Sequence, residues 1–135
     1  PGLVAGTTEV AASAGRGGAC LLNALAARVH TGESELHYGR PGHIPGSVNV
    51  PYLDLVDRAT NAFRPPAELR ARLEAAGALA APRIISYCGG GIAATAVAFA
   101  LAVLGRDDVA VYDGSMQEWC ADPARPVERG GGGTT

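Results

Sequence analysis

The segment from Arg83 to Gly105 constrains this chain more than any other. Ile84-Ile85-Ser86-Tyr87 reads as a buried strand, Cys88 ends it, Gly89-Gly90-Gly91 interrupt the chain, and Ile92 to Leu104 is a helix apolar on every side. A strand that runs through a tight glycine turn into a helix is the core of an α/β unit. The all-round apolar character of the helix predicts that it is buried. The rest of the chain repeats the alternation. Cys20 to Leu25 reads as a short strand, Ala26 to His30 as a helical turn, and Ser47 to Val50 as a strand stopped by Pro51. Pro65-Pro66 start a helix over Ala67–Glu74 that Gly77 ends, and Val109–Tyr112 is a further strand. Ser115 is placed to cap a short helix to Trp119, and another short helix is expected around Glu9–Ser13. The glycines and prolines from His37 to Gly46 demand a loop. Strands alternating with helices predict right-handed crossovers. The expected fold is therefore α/β, a small parallel sheet of about five strands with helices on both faces.

A chain of 135 residues supports one such domain, expected over residues 1–130, with 131–135 a flexible glycine-rich tail. The net charge of −2 comes with no block of like charge, which argues against nucleic acid or an anionic membrane as partner. The longest apolar run, Gly91 to Gly105, is shorter than the roughly 18 residues a membrane span requires. All 11 basic residues are Arg, an oddity of composition that nevertheless makes every cation a planar fork suited to oxyanions. The three cysteines, Cys20, Cys88 and Cys120, show no metal-ligand spacing and no disulfide framework, so neither a metal nor an organic cofactor is expected. Pro1 is not a translation start, so the chain is read as processed or as cut from something longer; no signal peptide is evident, and a reducing cytoplasm is the default expectation.

Chemistry concentrates at Cys88. Ligands of open α/β sheets bind beyond the carboxyl ends of the strands. Glycines allow backbone amides to turn inward as an anion nest, and a helix N-terminus favours a thiolate. A thiolate held by amides is a nucleophile that needs no histidine base. Cys20 and Cys120 lack this setting and read as structural. His43 reads as a loop histidine that ties down carbonyls ahead of a Pro-Gly turn, Asp113 as a turn residue and Trp119 as core. Tyr87 and Tyr112 are candidates to line the pocket.

Three segments carry a resemblance: Gly42-His43-Ile44-Pro45-Gly46-Ser47-Val48-Asn49-Val50-Pro51, Tyr87-Cys88-Gly89-Gly90-Gly91-Ile92-Ala93-Ala94, and Val111-Tyr112-Asp113-Gly114-Ser115 with Glu118-Trp119. In this order they resemble the rhodanese family of sulfurtransferases, from about Leu3 to Gly130, in particular the catalytic domain of thiosulfate and 3-mercaptopyruvate sulfurtransferases. The resemblance implies a sulfurtransferase in which Cys88 takes sulfane sulfur from an anionic small-molecule donor, as a persulfide held by the amides of Gly89, Gly90, Gly91, Ile92 and Ala93. A thiol or cyanide acceptor would then remove it. It also implies that Arg28 and Arg40 bind the donor's charge, with Arg58 and Arg64 as further candidates. Related phosphatases carry an Arg where this chain has Ala94, so phosphoryl transfer is not expected. The chain departs from the family at Asn23 and Leu25, where an Asp and an Arg are usual, and at Gly90, where a hydroxyl residue is common. A binding or redox-sensing module that performs no catalysis is the alternative reading.

Overall fold

The computed structural model describes residues 3–15 and 19–130. The expected tail, 131–135, lies outside the described residues. Five parallel strands form the main sheet: β1 (Val4–Ala5), β2 (Cys20–Asn23), β3 (Val48–Asn49), β6 (Ile84–Tyr87) and β7 (Ala110–Tyr112), in the order β1-β7-β6-β2-β3. A small antiparallel hairpin, β4 (Val56–Asp57) and β5 (Ala62–Phe63), stands apart from it. The helices are α1 (Thr7–Ser13), α2 (Ala27–Thr31), α3 (Pro66–Ala75), α4 (Ile92–Val103) and α5 (Ser115–Ala121).

Two apolar layers sandwich the sheet. On one side Leu69 and Leu73 of α3 pack with Val97 and Leu101 of α4 over Leu22 and Ile84. On the other, Val10 of α1 and Met116 and Trp119 of α5 cover Leu21, Ile85 and Tyr87. Side chains alternate along β6, so Ile84 and Ser86 face α4 while Ile85 and Tyr87 face α5. Each fully buried Leu or Ile contributes about 1.5–3 kcal/mol.

The structure corrects the expectation that α4 is buried all round. Ala94, Val97, Ala100 and Leu101 are buried, but Ile92 is 88% exposed, Phe99 60% and Val103 50%. The helix lies on one face of a single sheet, so only one side of it has a layer to pack against. Two of its four buried residues are alanines, Ala94 and Ala100, which lets the helix approach the strands closely there. The first β-strand and the hairpin were not expected, and β2 stops at Asn23, short of Leu25.

The topology positions the site. From β2 the chain crosses to β3 on one side, and from β6 it crosses to β7 on the other. The carboxyl ends of β2 and β6 therefore border a topological switch point, where open sheets of this kind bind ligands. Cys88 is the first residue beyond β6.

Candidate active site

Cys88 is 3% exposed and sits at the start of the turn from β6 into α4. The amide of Gly91 donates to its Sγ at 2.9 Å. Gly91 has φ +105°, and a Cβ there would come within 3.0 Å of the Asp113 carbonyl and carboxylate oxygens, so glycine is required. Ala94, on the next turn, accepts a bond at its carbonyl from Ser86 Oγ at 3.0 Å, which ties α4 to β6. A negative sulfur at this position meets the Gly91 amide and the positive end of the α4 dipole.

The loop is clamped from below by α5. Met116 and Gln117 donate their amides to the carbonyls of Cys88 (2.9 Å) and Gly89 (3.1 Å). Ser115 does not cap its helix as expected. Its Oγ accepts from the Cys88 amide at 2.9 Å and donates to the Tyr112 carbonyl at 2.8 Å, and lies 3.9 Å from Cys88 Sγ. These bonds hold Ser115 at φ +54°, a left-handed conformation that costs a residue with a side chain about 1–2 kcal/mol. The residue that read as a helix cap is thus a tether for the cysteine backbone.

The thiol opens into a cavity of about 420 Å³. The loop contributes Cys88, Gly89 and Gly90 to its wall, and α4 contributes Ile92, Ala93 and Ala96. Leu25, Tyr38 and Tyr52 complete the lining. Among the described residues no Asp, Glu, Arg or His lines it. Tyr38 lies against the loop, and a Cβ on Gly89 would overlap its ring. Tyr38 and Tyr52 were not singled out from the sequence, because both lie in irregular segments with no periodicity to show where they point. Tyr87 and Tyr112, the expected lining tyrosines, face the other side of the sheet and are buried there.

Tyr87 has a different role. Its hydroxyl accepts from Asn23 Nδ2 (3.0 Å) and from the Ile44 amide (3.1 Å), and donates to Ser47 Oγ at 2.7 Å. Burial pushes its phenol up to about 12, with the Ser47 and Asn23 bonds opposing that shift. Asn23 Oδ1 accepts from the Leu25 amide at 2.9 Å, turning the chain at the end of β2 and directing Leu25 into the cavity wall. The departure at Asn23 therefore maintains a neutral network that joins β2, β6 and the loop before β3.

His43 is fully buried; its Nδ1 donates to the His30 carbonyl at 2.7 Å and its Nε2 lies 3.1 Å from Glu128 Oε1. It does not line the cavity of Cys88, in keeping with a role in pinning the loop. Trp119 is 1% exposed, with its Nε1 donating to the Pro126 carbonyl at 2.8 Å. All three cysteines are free thiols, and burial pushes the Cys20 thiol up. Among the described residues no group of His, Cys, Asp and Glu is placed to hold a metal ion.

The two expected donor-binding arginines are not at the cavity. Arg28 is exposed on α2, whose buried side is Val29 and His30, so its side chain leaves on the outer side of a five-residue helix. Arg40 is drawn away by the carbonyl of Asp122, to which its guanidinium donates at 3.1 Å. Arg64 bonds the Asp54 carbonyl and Glu68. Arg58 instead lines a neighbouring cavity, which shares Leu25, Tyr52 and Ala93 with the first.

Comparison with known proteins places this geometry. The family model of the rhodanese-like domain matches residues 25–122. A protein of Mycobacterium tuberculosis named for thiosulfate sulfurtransferase activity is 40% identical over 124 residues, covering 91% of this chain and 43% of the relative. Human 3-mercaptopyruvate sulfurtransferase is 34% identical over 96 residues, 70% of this chain and 32% of the relative. This chain thus spans less than half the length of these relatives. Among solved structures, the anaerobic ergothioneine biosynthesis enzyme of Chlorobium limicola superposes with a TM-score of 0.86 at 22% identity, covering 96% of this chain and 32% of that one. The Tum1 protein of Saccharomyces cerevisiae gives a TM-score of 0.71 at 23% identity, over 93% of this chain and 46% of that one. At such identity these two report the fold alone. With its cysteine held between a parallel strand and a glycine-led helix, and its sequence matched over most of its length, the chain belongs to the rhodanese-like domain family.

Proposed function

We propose that the protein is a sulfurtransferase that carries sulfur as a persulfide on Cys88. The observation that supports this most is the buried Cys88 Sγ with the Gly91 amide aimed at it, at the floor of a cavity large enough for a small donor. The donor is an anion of the thiosulfate or 3-mercaptopyruvate type. The Cys88 thiolate attacks its sulfane sulfur. With thiosulfate an S–S bond forms as the donor S–S bond breaks and sulfite leaves. With 3-mercaptopyruvate the C–S bond breaks and pyruvate leaves after taking up a proton. The amides of Gly89 to Ala93 hold the persulfide anion, and no cofactor takes part. A thiophile then attacks the outer sulfur, and cyanide leaves as thiocyanate while the Cys88 thiolate is restored. This is covalent catalysis of the ping-pong kind.

Three free thiols suit a reducing compartment such as the cytoplasm. Among the described residues no helix is long and apolar enough to cross a membrane. Sulfur transfer to cyanide, from thiosulfate and from 3-mercaptopyruvate in parallel, tests the function with Cys88→Ser as control. Turnover that vanishes in Cys88→Ser is expected. Full activity in that variant would refute the mechanism.

A further inference from the structure

Among the described residues no acidic or basic side chain lines the cavity of Cys88, yet a second cavity of about 380 Å³ adjoins it, sharing Leu25, Tyr52 and Ala93. Two charged residues of opposite sign line this second cavity, Arg58 and Asp54. Asp54 belongs to the short turn over Tyr52–Leu55, and Arg58 follows β4 in the hairpin. The two do not pair with each other, and neither side chain has a hydrogen-bond or ionic partner among the described residues. Most other arginines are already engaged: those at 40, 64, 83, 106, 125 and 129 bond carboxylates or carbonyls. A free guanidinium and a free carboxylate lining one cavity are complementary to a ligand that bears both charges. The guanidinium fork receives a carboxylate, and Asp54 receives an ammonium.

We infer that this second cavity is a subsite for a thiol-bearing α-amino acid that accepts sulfur from Cys88. The inference rests on the sulfurtransferase reading. The acceptor's carboxylate pairs with Arg58 and its ammonium with Asp54, and its thiolate reaches the Cys88 persulfide across the wall formed by Tyr52 and Ala93. In the step, the acceptor thiol gives its proton to the persulfide anion, and the resulting thiolate attacks the outer sulfur of Cys88–S–SH. A new S–S bond forms, the Cys88 S–S bond breaks, and the products are R–S–SH and the Cys88 thiolate. No oxidant or reductant is consumed.

The test loads Cys88 with sulfur and follows discharge by four thiols: L-cysteine, 3-mercaptopropionate (carboxylate only), cysteamine (ammonium only) and 2-mercaptoethanol (neither). Each variant is compared with wild type for the same thiol, so differences in thiol nucleophilicity cancel. Arg58→Gln should slow discharge by L-cysteine and 3-mercaptopropionate about tenfold and leave the other two unchanged. Asp54→Asn should slow L-cysteine and cysteamine and leave the other two unchanged. Equal effects on all four thiols, or on none, would overturn the subsite. S-methyl-L-cysteine cannot accept sulfur, so its binding by calorimetry is read independently of turnover. Weaker binding to both variants is expected, and binding that neither variant alters would overturn the subsite. A protein that never loads sulfur would defeat the sulfurtransferase reading, while the calorimetry still decides this one.

Discussion

His30 and His43 stack in the interior with ring centroids 3.8 Å apart and planes 5° from parallel, and both are 0% exposed. Neither ring nitrogen of His30 has a partner among the described residues. Burial, followed by the neighbouring His43, lowers the His30 imidazole from 6.5 to about 3. The folded state therefore keeps His30 neutral while the unfolded chain takes up a proton below about pH 6.5. Stability tied to this residue is complete above pH 6.5 and falls as the pH drops toward 3. From pH 7 to pH 5 the loss is about 2 kcal/mol, worked from a folded value of about 3 and an unfolded value of 6.5. That is a sizeable part of a typical domain stability of about 5–15 kcal/mol. His30→Leu, of similar volume and without orphaned nitrogens, should remove this loss. Urea unfolding followed by fluorescence of the single Trp119 measures it at both pH values in both proteins. Parallel losses in wild type and His30→Leu would refute the reasoning.

Tyr87→Phe strips the acceptor from Asn23 Nδ2 and the Ile44 amide, both buried, and should cost about 2–4 kcal/mol in urea unfolding. A loss below about 1 kcal/mol would show that the network is not what joins these loops. Ser115→Ala leaves the Cys88 amide without its acceptor and should slow sulfur loading about tenfold, a change that single-turnover kinetics with thiosulfate would read. An unchanged loading rate would remove Ser115 from the positioning of Cys88.

The segment around Cys88 was legible because its logic is local. A strand, a glycine turn and a helix are adjacent in sequence, and the period of 2 along β6 then decides which side each residue faces. The same alternation, followed one step further, excludes Tyr87 from the cavity, since Tyr87 and Cys88 leave β6 on opposite faces. What the sequence leaves open depends on contacts distant in the chain. β1 is two residues long and exists through its pairing with β7, and the hairpin of β4 and β5 has no periodic signal. Hydropathy alone does not separate a helix buried all round from α4, which is buried on one side. The direction of Arg40 is set by the Asp122 carbonyl, 82 residues away, and that of Arg28 by which side of α2 packs inward. Ser115 sits 27 residues from the cysteine it tethers, so its helix-start position masks its role.

The account turns on whether Cys88 holds sulfur. Intact-mass measurement after addition of thiosulfate or 3-mercaptopyruvate, with peptide mapping of the modified residue, tests this directly. The expected result is a gain of one sulfur atom on Cys88 that cyanide removes and that Cys88→Ser does not show. Sulfur found on Cys20 or Cys120, or no gain with either donor, would contradict it.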